Sequence, residues 1–120
     1  MSMEMERSIM TINEYGSVIL PEDISGIWMS EPELVELFGV IAPTLRTAIR
    51  AIYKSGVLKQ HKAERYIRLP DGYGRDVYAL SMVVALAFRI NTPCARRVRK
   101  ALLERLYGQK ERQVLWVSMN

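Results

Sequence analysis

One cysteine and one histidine in 120 residues exclude several kinds of chemistry at once. Cys94 stands alone, so no internal disulfide forms, and such usage fits a reducing cytoplasm. His61 and Cys94 are the only imidazole and thiol, too few for an ordinary nitrogen and sulfur metal site. A single histidine also leaves a serine or cysteine nucleophile without its usual base. Asp71-Gly72-Tyr73-Gly74 is a turn, not a phosphate loop, because no Lys-Ser or Lys-Thr follows it. Asp71 and Asp76 flank that turn without a third group for acid–base work. No long apolar run is present either: the stretch from Met82 to Phe88 is far too short to span a membrane. The start, MSMEMERSIM, is acidic and lacks the apolar core of a secretory leader. These absences predict a cytoplasmic protein that is not an enzyme, uses no cofactor and does not enter a membrane.

What is present fits one domain with a real core, since 49% of residues are apolar and 25% charged. The net charge of +4 conceals a segregation. Residues 1–41 hold Arg7 against Glu4, Glu6, Glu14, Glu22, Asp23, Glu31, Glu33 and Glu36, a balance of −7; the remainder carries +11. No acid occurs from Gly39 to Gln60. A basic face for a polyanion beside an acidic face accounts for this pattern.

The change of sign falls inside Ser30 to Gly56, SEPELVELFGVIAPTLRTAIRAIYKSG, which reads as helix, turn and helix. Ser30 and Glu33 make an S-x-x-E capping box, and Pro32 suits the first turn. Leu34, Leu37 and Phe38 supply one apolar face, and Gly39 is placed to end the helix in the left-handed region. The second helix begins near Pro43 and buries Leu45, Ala48, Ile49 and Ile52. Its other face carries Thr44, Arg46, Thr47, Arg50 and Lys54. Arginine forks onto guanine, and lysine and threonine hold phosphates, so this is the chemistry of a DNA-reading helix.

Around the helix pair the sequence predicts disorder over residues 1–8 and a small hairpin over 9–20. Trp28 is expected to pack over the first helix as a staple-like anchor. Val57 to Lys59 reads as a short strand and Gln60 to Glu64 as polar connection. RYIRL (Arg65 to Leu69) and RDVYAL (Arg75 to Leu80) then form a hairpin across a five-residue loop. A hairpin directly after a reading helix is the wing of a winged helix, with Arg65, Arg68 and Arg75 toward the phosphate backbone. Equally, arginines there can be solvated residues protecting an edge strand. A helix pair follows over 82–107: Ser81 caps an apolar helix ending near Ile90, and Thr92-Pro93 opens a last helix that Gly108 stops. That helix is expected to bury Val98, Ala101, Leu102 and Leu106 and to expose Arg96, Arg97, Arg99, Lys100 and Arg105. Val114 to Val117 (VLWV) reads as a strand able to join the first hairpin, within one chain or between two.

WMSEPELVELFGV, IRAIYKSGVL, DVYALSMVVALAFRINT and ARRVRKALLERL, taken in order, resemble the N-terminal DNA-binding part of virulence protein RhuM. More loosely they resemble the Bro-N and KilA-N domains of phage antirepressors. The resemblance covers about Trp28 to Leu106 and departs from the family at Val98 to Ala101, where V-R-K-A replaces F-R-x-W-A. It implies DNA binding on phage-derived or mobile elements, mainly bacterial. The combined expectation is an α+β winged helix-turn-helix with an N-terminal hairpin and two C-terminal helices. It binds double-stranded DNA through Thr44, Arg46, Thr47, Arg50, Lys54, Arg65, Arg68 and Arg75, and a homodimer would fit because two-fold operators mirror protein symmetry. The alternative is an antirepressor-like module that docks a protein partner instead.

Overall fold

The computed structural model describes residues 6–118, with side chains described over 6–108. It is a compact α+β domain of five α-helices and two small antiparallel sheets. The first sheet is the hairpin of β1 (Thr11–Ile12) and β2 (Val18–Ile19). Its turn is organised by Asn13, whose side-chain carbonyl accepts the N–H of Tyr15 at 2.9 Å and of Ser17 at 3.0 Å. After a 3-10 turn (Ile24–Gly26) comes β3 (Trp28–Ser30), then α1 (Glu31–Phe38) and α2 (Ala42–Ser55). A four-residue helix α3 (Gln60–Ala63) leads into β4 (Glu64–Arg68) and β5 (Gly74–Ala79). The last two helices are α4 (Leu80–Arg89) and α5 (Pro93–Ser118).

β5 is the central strand of the second sheet, in the order β3-β5-β4. Met29 pairs with Tyr78, and Arg65 with Val77. Side chains alternate across a sheet, so this register sorts its residues onto two faces. Met29, Tyr78, Glu64, Tyr66, Asp76 and Arg68 share one face, and Trp28, Arg65, Ile67, Arg75 and Val77 share the other. Met29 and Tyr78 enter the main core, where Leu34, Leu37 and Phe38 of α1 meet Leu45, Ala48, Ile49 and Ile52 of α2. Met82, Val83, Leu86 and Ala87 of α4 and Ala95, Val98 and Leu102 of α5 complete it. On the far face Ile67, Leu69 and Val77 form a satellite cluster against Trp28. Gly39 is set by geometry, ending α1 at φ 64°.

Several sequence expectations are corrected. The buried stripes of α1 and α2 are as read, but VLWV is helical, not a strand. α5 passes through Gly108 to Ser118, because one glycine inside a helix costs only about 1 kcal/mol and ends it only when the chain turns there. The helix pair therefore extends beyond 82–107. Leu106, expected inside, is 59% exposed, and the buried stripe of α5 is Ala95, Val98 and Leu102. α4 begins one residue before Ser81, with Ala79 at its cap. Val57 to Lys59 forms no strand, and α3 occupies part of the expected connector. Trp28 packs on the hairpin cluster rather than over α1. Of the stretch expected to be disordered, residues 1–5 lie outside the described residues, whereas Arg7 and Ser8 are tied down. The Ser8 N–H donates to Gly26 O at 2.9 Å, and Ser8 O accepts the Trp28 N–H at 3.1 Å.

Arg7 forks onto Glu33, with Nη2 to Oε2 at 2.9 Å, and also donates to Trp28 O at 3.0 Å. Glu33 in turn accepts the Ser30 N–H at 2.8 Å, the backbone half of the expected capping box. Burial pushes the Glu33 carboxyl up, but the Arg7 guanidinium and the Ser30 N–H outweigh it and hold it below its ordinary 4.5. A depressed carboxylate stabilises the fold above its unfolded pKa, and this contribution is lost as pH falls through the folded value. Glu33→Gln should therefore lower the urea midpoint at pH 7 and narrow the gap from wild type as pH falls below about 4.5. An equal gap at pH 7 and pH 3 would contradict this linkage.

Candidate nucleic-acid interface

α2 positions the candidate residues. Its N-terminus follows Ile41 without a side-chain cap, and Pro43 in the first turn lacks an N–H that would otherwise go unpaired. At its other end Gly56 takes φ 82° and donates its N–H to Tyr53 O at 3.1 Å. With Leu45, Ala48, Ile49 and Ile52 buried, 3.6-residue periodicity leaves Pro43, Thr47, Arg50 and Lys54 as the outermost ridge. All four are exposed. The Thr47 hydroxyl donates to Pro43 O at 2.9 Å, and Arg50 Nη2 donates to Thr47 Oγ1 at 3.3 Å. Arg50 is thus folded back along the ridge, toward the N-terminal end of the helix.

Arg46 sits on the flank of α2 that faces the sheet. It forks onto Glu31, Nε to Oε2 at 2.9 Å and Nη2 to Oε1 at 2.7 Å, with its side chain still 55% exposed. Such an exposed pair adds little to stability, but it occupies the donors that a base contact needs. The same flank holds Tyr53, whose hydroxyl donates to Glu64 Oε1 at 2.9 Å. Burial, then the Glu64 carboxylate, pushes the Tyr53 phenol up; burial, then Glu64, Asp76 and Glu31, pushes Tyr78 up to about 12. Both phenols remain protonated donors at any physiological pH. The crevice between α2 and the sheet thus gathers Glu31, Glu64 and Asp76, with Arg46 paired to Glu31 and Arg68 on the same sheet face.

The opposite flank of α2 differs. Thr44, Thr47, Ala48 and Ala51 line an open groove of about 540 Å³ whose other wall is Arg89, Ile90, Asn91 and Thr92. No acid lines it. Thr92 fixes that wall: its hydroxyl donates to Phe38 O at 2.7 Å and accepts the Ala95 N–H at 3.0 Å, capping α5 as the sequence predicts.

The hairpin arginines do not converge. Arg68 lies on the sheet face toward α2, whereas Arg65 and Arg75 lie on the face away from it. Arg65 stacks over Trp28 at 4.5 Å from the ring centroid, and Arg75 pairs with Asp71 at 3.6 Å. Of the eight candidates, then, Thr44, Thr47, Arg50 and Lys54 share the outward side of α2. Arg46 is held by an acid, Arg68 is across the crevice, and Arg65 and Arg75 face elsewhere. Arg89 and Asn91 were missed, because only tertiary packing brings the end of α4 beside α2.

Two of the five basic residues expected to be exposed on α5 hold the fold instead. Arg99 donates to Ala87 O and Ile90 O, and Arg105 donates to Pro21 O and Glu22 O. The Arg97 guanidinium lies against Gly16 in the first hairpin turn. Among the described residues no cluster of His, Cys, Asp and Glu could hold a metal ion, and no helix is long and apolar enough to cross a membrane. No family model, curated protein or solved structure matches the chain.

Proposed function

We propose that this domain is a winged-helix-like binder of double-stranded DNA, serving as a regulator or accessory protein of a phage-derived or mobile element. The fold supports the winged reading through its order of strand, two helices, the short α3 and hairpin, with the strand ahead of the helices pairing onto the second hairpin strand. The mobile-element assignment rests on the resemblance to the RhuM and antirepressor domains. The carrying observation is the ridge Pro43, Thr47, Arg50 and Lys54: exposed, acid-free and mounted on a helix locked to the core by four apolar residues. An α-helix fits the major groove, and this ridge offers a fork for guanine, a hydroxyl for either role and an ammonium for phosphate.

The test is fluorescence anisotropy of random-sequence duplex DNA over a salt series. Wild type should bind with affinity that falls steeply with salt, and Arg50→Ala/Lys54→Ala should weaken binding and reduce the slope by at least the one phosphate contact assigned to Lys54, about 0.9. Absence of binding at low salt would overturn the proposal. A second reading has its own support in Leu103, Leu106 and Tyr107, which are 51%, 59% and 66% exposed along α5. There the domain docks a protein partner, or a second copy of itself, through that helix.

A further inference from the structure

We infer that the corner joining α4 to α5, at Arg89 and Asn91, is the second backbone-holding element beside α2, and that the hairpin is not. The inference rests on the proposed DNA reading and assigns which side of the reading helix meets the phosphates. A helix in the major groove has a sugar-phosphate strand on each side, so whatever flanks it decides the grip. One flank of α2 faces Glu31, Glu64 and Asp76; Glu31 and Glu64 already hold Arg46 and Tyr53, and the three carboxylates outnumber Arg46 and Arg68 on that side. The other flank is the groove lined by Thr44, Thr47, Arg89 and Asn91, without an acid.

The groove matches a phosphodiester strand in chemistry as well as in charge. Its floor of Val40, Ala48, Ala51 and Ile90 suits the apolar face of deoxyribose. The Thr44 hydroxyl, the Asn91 amide and the Arg89 guanidinium can donate to phosphate oxygens from its rims, the Thr47 proton being committed to Pro43 O. Arg89 is exposed at the last turn of α4, and the wall carrying it is braced by the Thr92 hydrogen bonds to Phe38 and Ala95. Position rather than mere charge distinguishes this arginine, since Arg65 and Arg75 carry the same charge on the sheet face turned away from α2.

The experiment compares wild type, Arg89→Ala, Arg89→Lys and Arg68→Ala on random-sequence duplex DNA over a salt series, with folding checked by thermal melts. Arg89→Ala should flatten the salt slope by about 0.9, the loss of one phosphate contact. Arg89→Lys should keep the wild-type slope, and Arg68→Ala should leave it unchanged. An unchanged slope in Arg89→Ala, or the loss appearing in Arg68→Ala, would overturn this assignment. If wild type binds and the Arg50→Ala/Lys54→Ala variant fails while Arg89→Ala is normal, only the assignment falls. If wild type does not bind at all, the DNA reading falls with it.

Discussion

Phe38→Ala is expected to lower the unfolding free energy by about 3–5 kcal/mol and the melting temperature by roughly 10–20 °C. Phe38 is wholly buried where α1, α2, α4 and α5 meet. It is also the last residue of α1, so its surroundings cannot collapse freely into a cavity. Gly39 behind it is fixed in the left-handed region, and its own carbonyl is held by Thr92 at 2.7 Å. The control is the only other phenylalanine, Phe88, which is 58% exposed on α4. Phe88→Ala should shift stability by no more than about 0.5 kcal/mol. Urea denaturation followed by circular dichroism measures both. Comparable losses at the two positions would contradict the packing described for the end of α1.

The same pair shows what the sequence could convey. Phe38 was legible because its helix has a strong period and an adjacent glycine stop. Phe88 sits in a run so apolar that periodicity names no outward face, and only the neighbouring elements choose one. The buried stripe of α2 was legible residue by residue for the same local reason. Strand β3 was not, since three residues carry no alternation and their partner lies in β5, far along the chain. VLWV misled through its β-branched residues; strand propensity chiefly describes fit to a sheet surface, and here the chain stays helical.

Charge was the least transferable signal. The acid-free stretch from Gly39 to Gln60 does make an acid-free ridge, because all of α2 lies within it. It does not make an acid-free surround. Glu31 reaches Arg46 from the start of α1, and Glu64 reaches Tyr53 from β4. The hairpin arginines were grouped by type, yet strand alternation alone separates Arg68 from Arg65, and pairing of Ile67 with Arg75 places Arg75 with Arg65. The groove beside Arg89 has no local signal at all, since no pattern along the chain brings the end of α4 to α2.

Arg99→Ala is the second large expected loss, about 2–3 kcal/mol, and it separates a structural arginine from a DNA contact. Arg99 Nη1 donates to Ala87 O at 2.6 Å and to Ile90 O at 3.0 Å. These carbonyls close the C-terminal end of α4, where the helix leaves acceptors unpaired and concentrates partial negative charge. Ala87 is fully buried, so water has poor access to replace the guanidinium there. A charged hydrogen bond of this kind is worth about 1.5–3 kcal/mol, and the two share one nitrogen, so they do not simply add. Arg99→Lys should recover part of the loss, because an ammonium supplies the charge without the planar fork. Lys100→Ala, next along the chain and within only 4.0 Å of Glu104, should change stability by less than about 0.5 kcal/mol. If Arg99 instead served DNA, its removal would flatten the salt slope of binding and leave the urea midpoint in place. The opposite pair of outcomes, a lowered midpoint with an unchanged slope in the protein that still folds, is what this geometry requires.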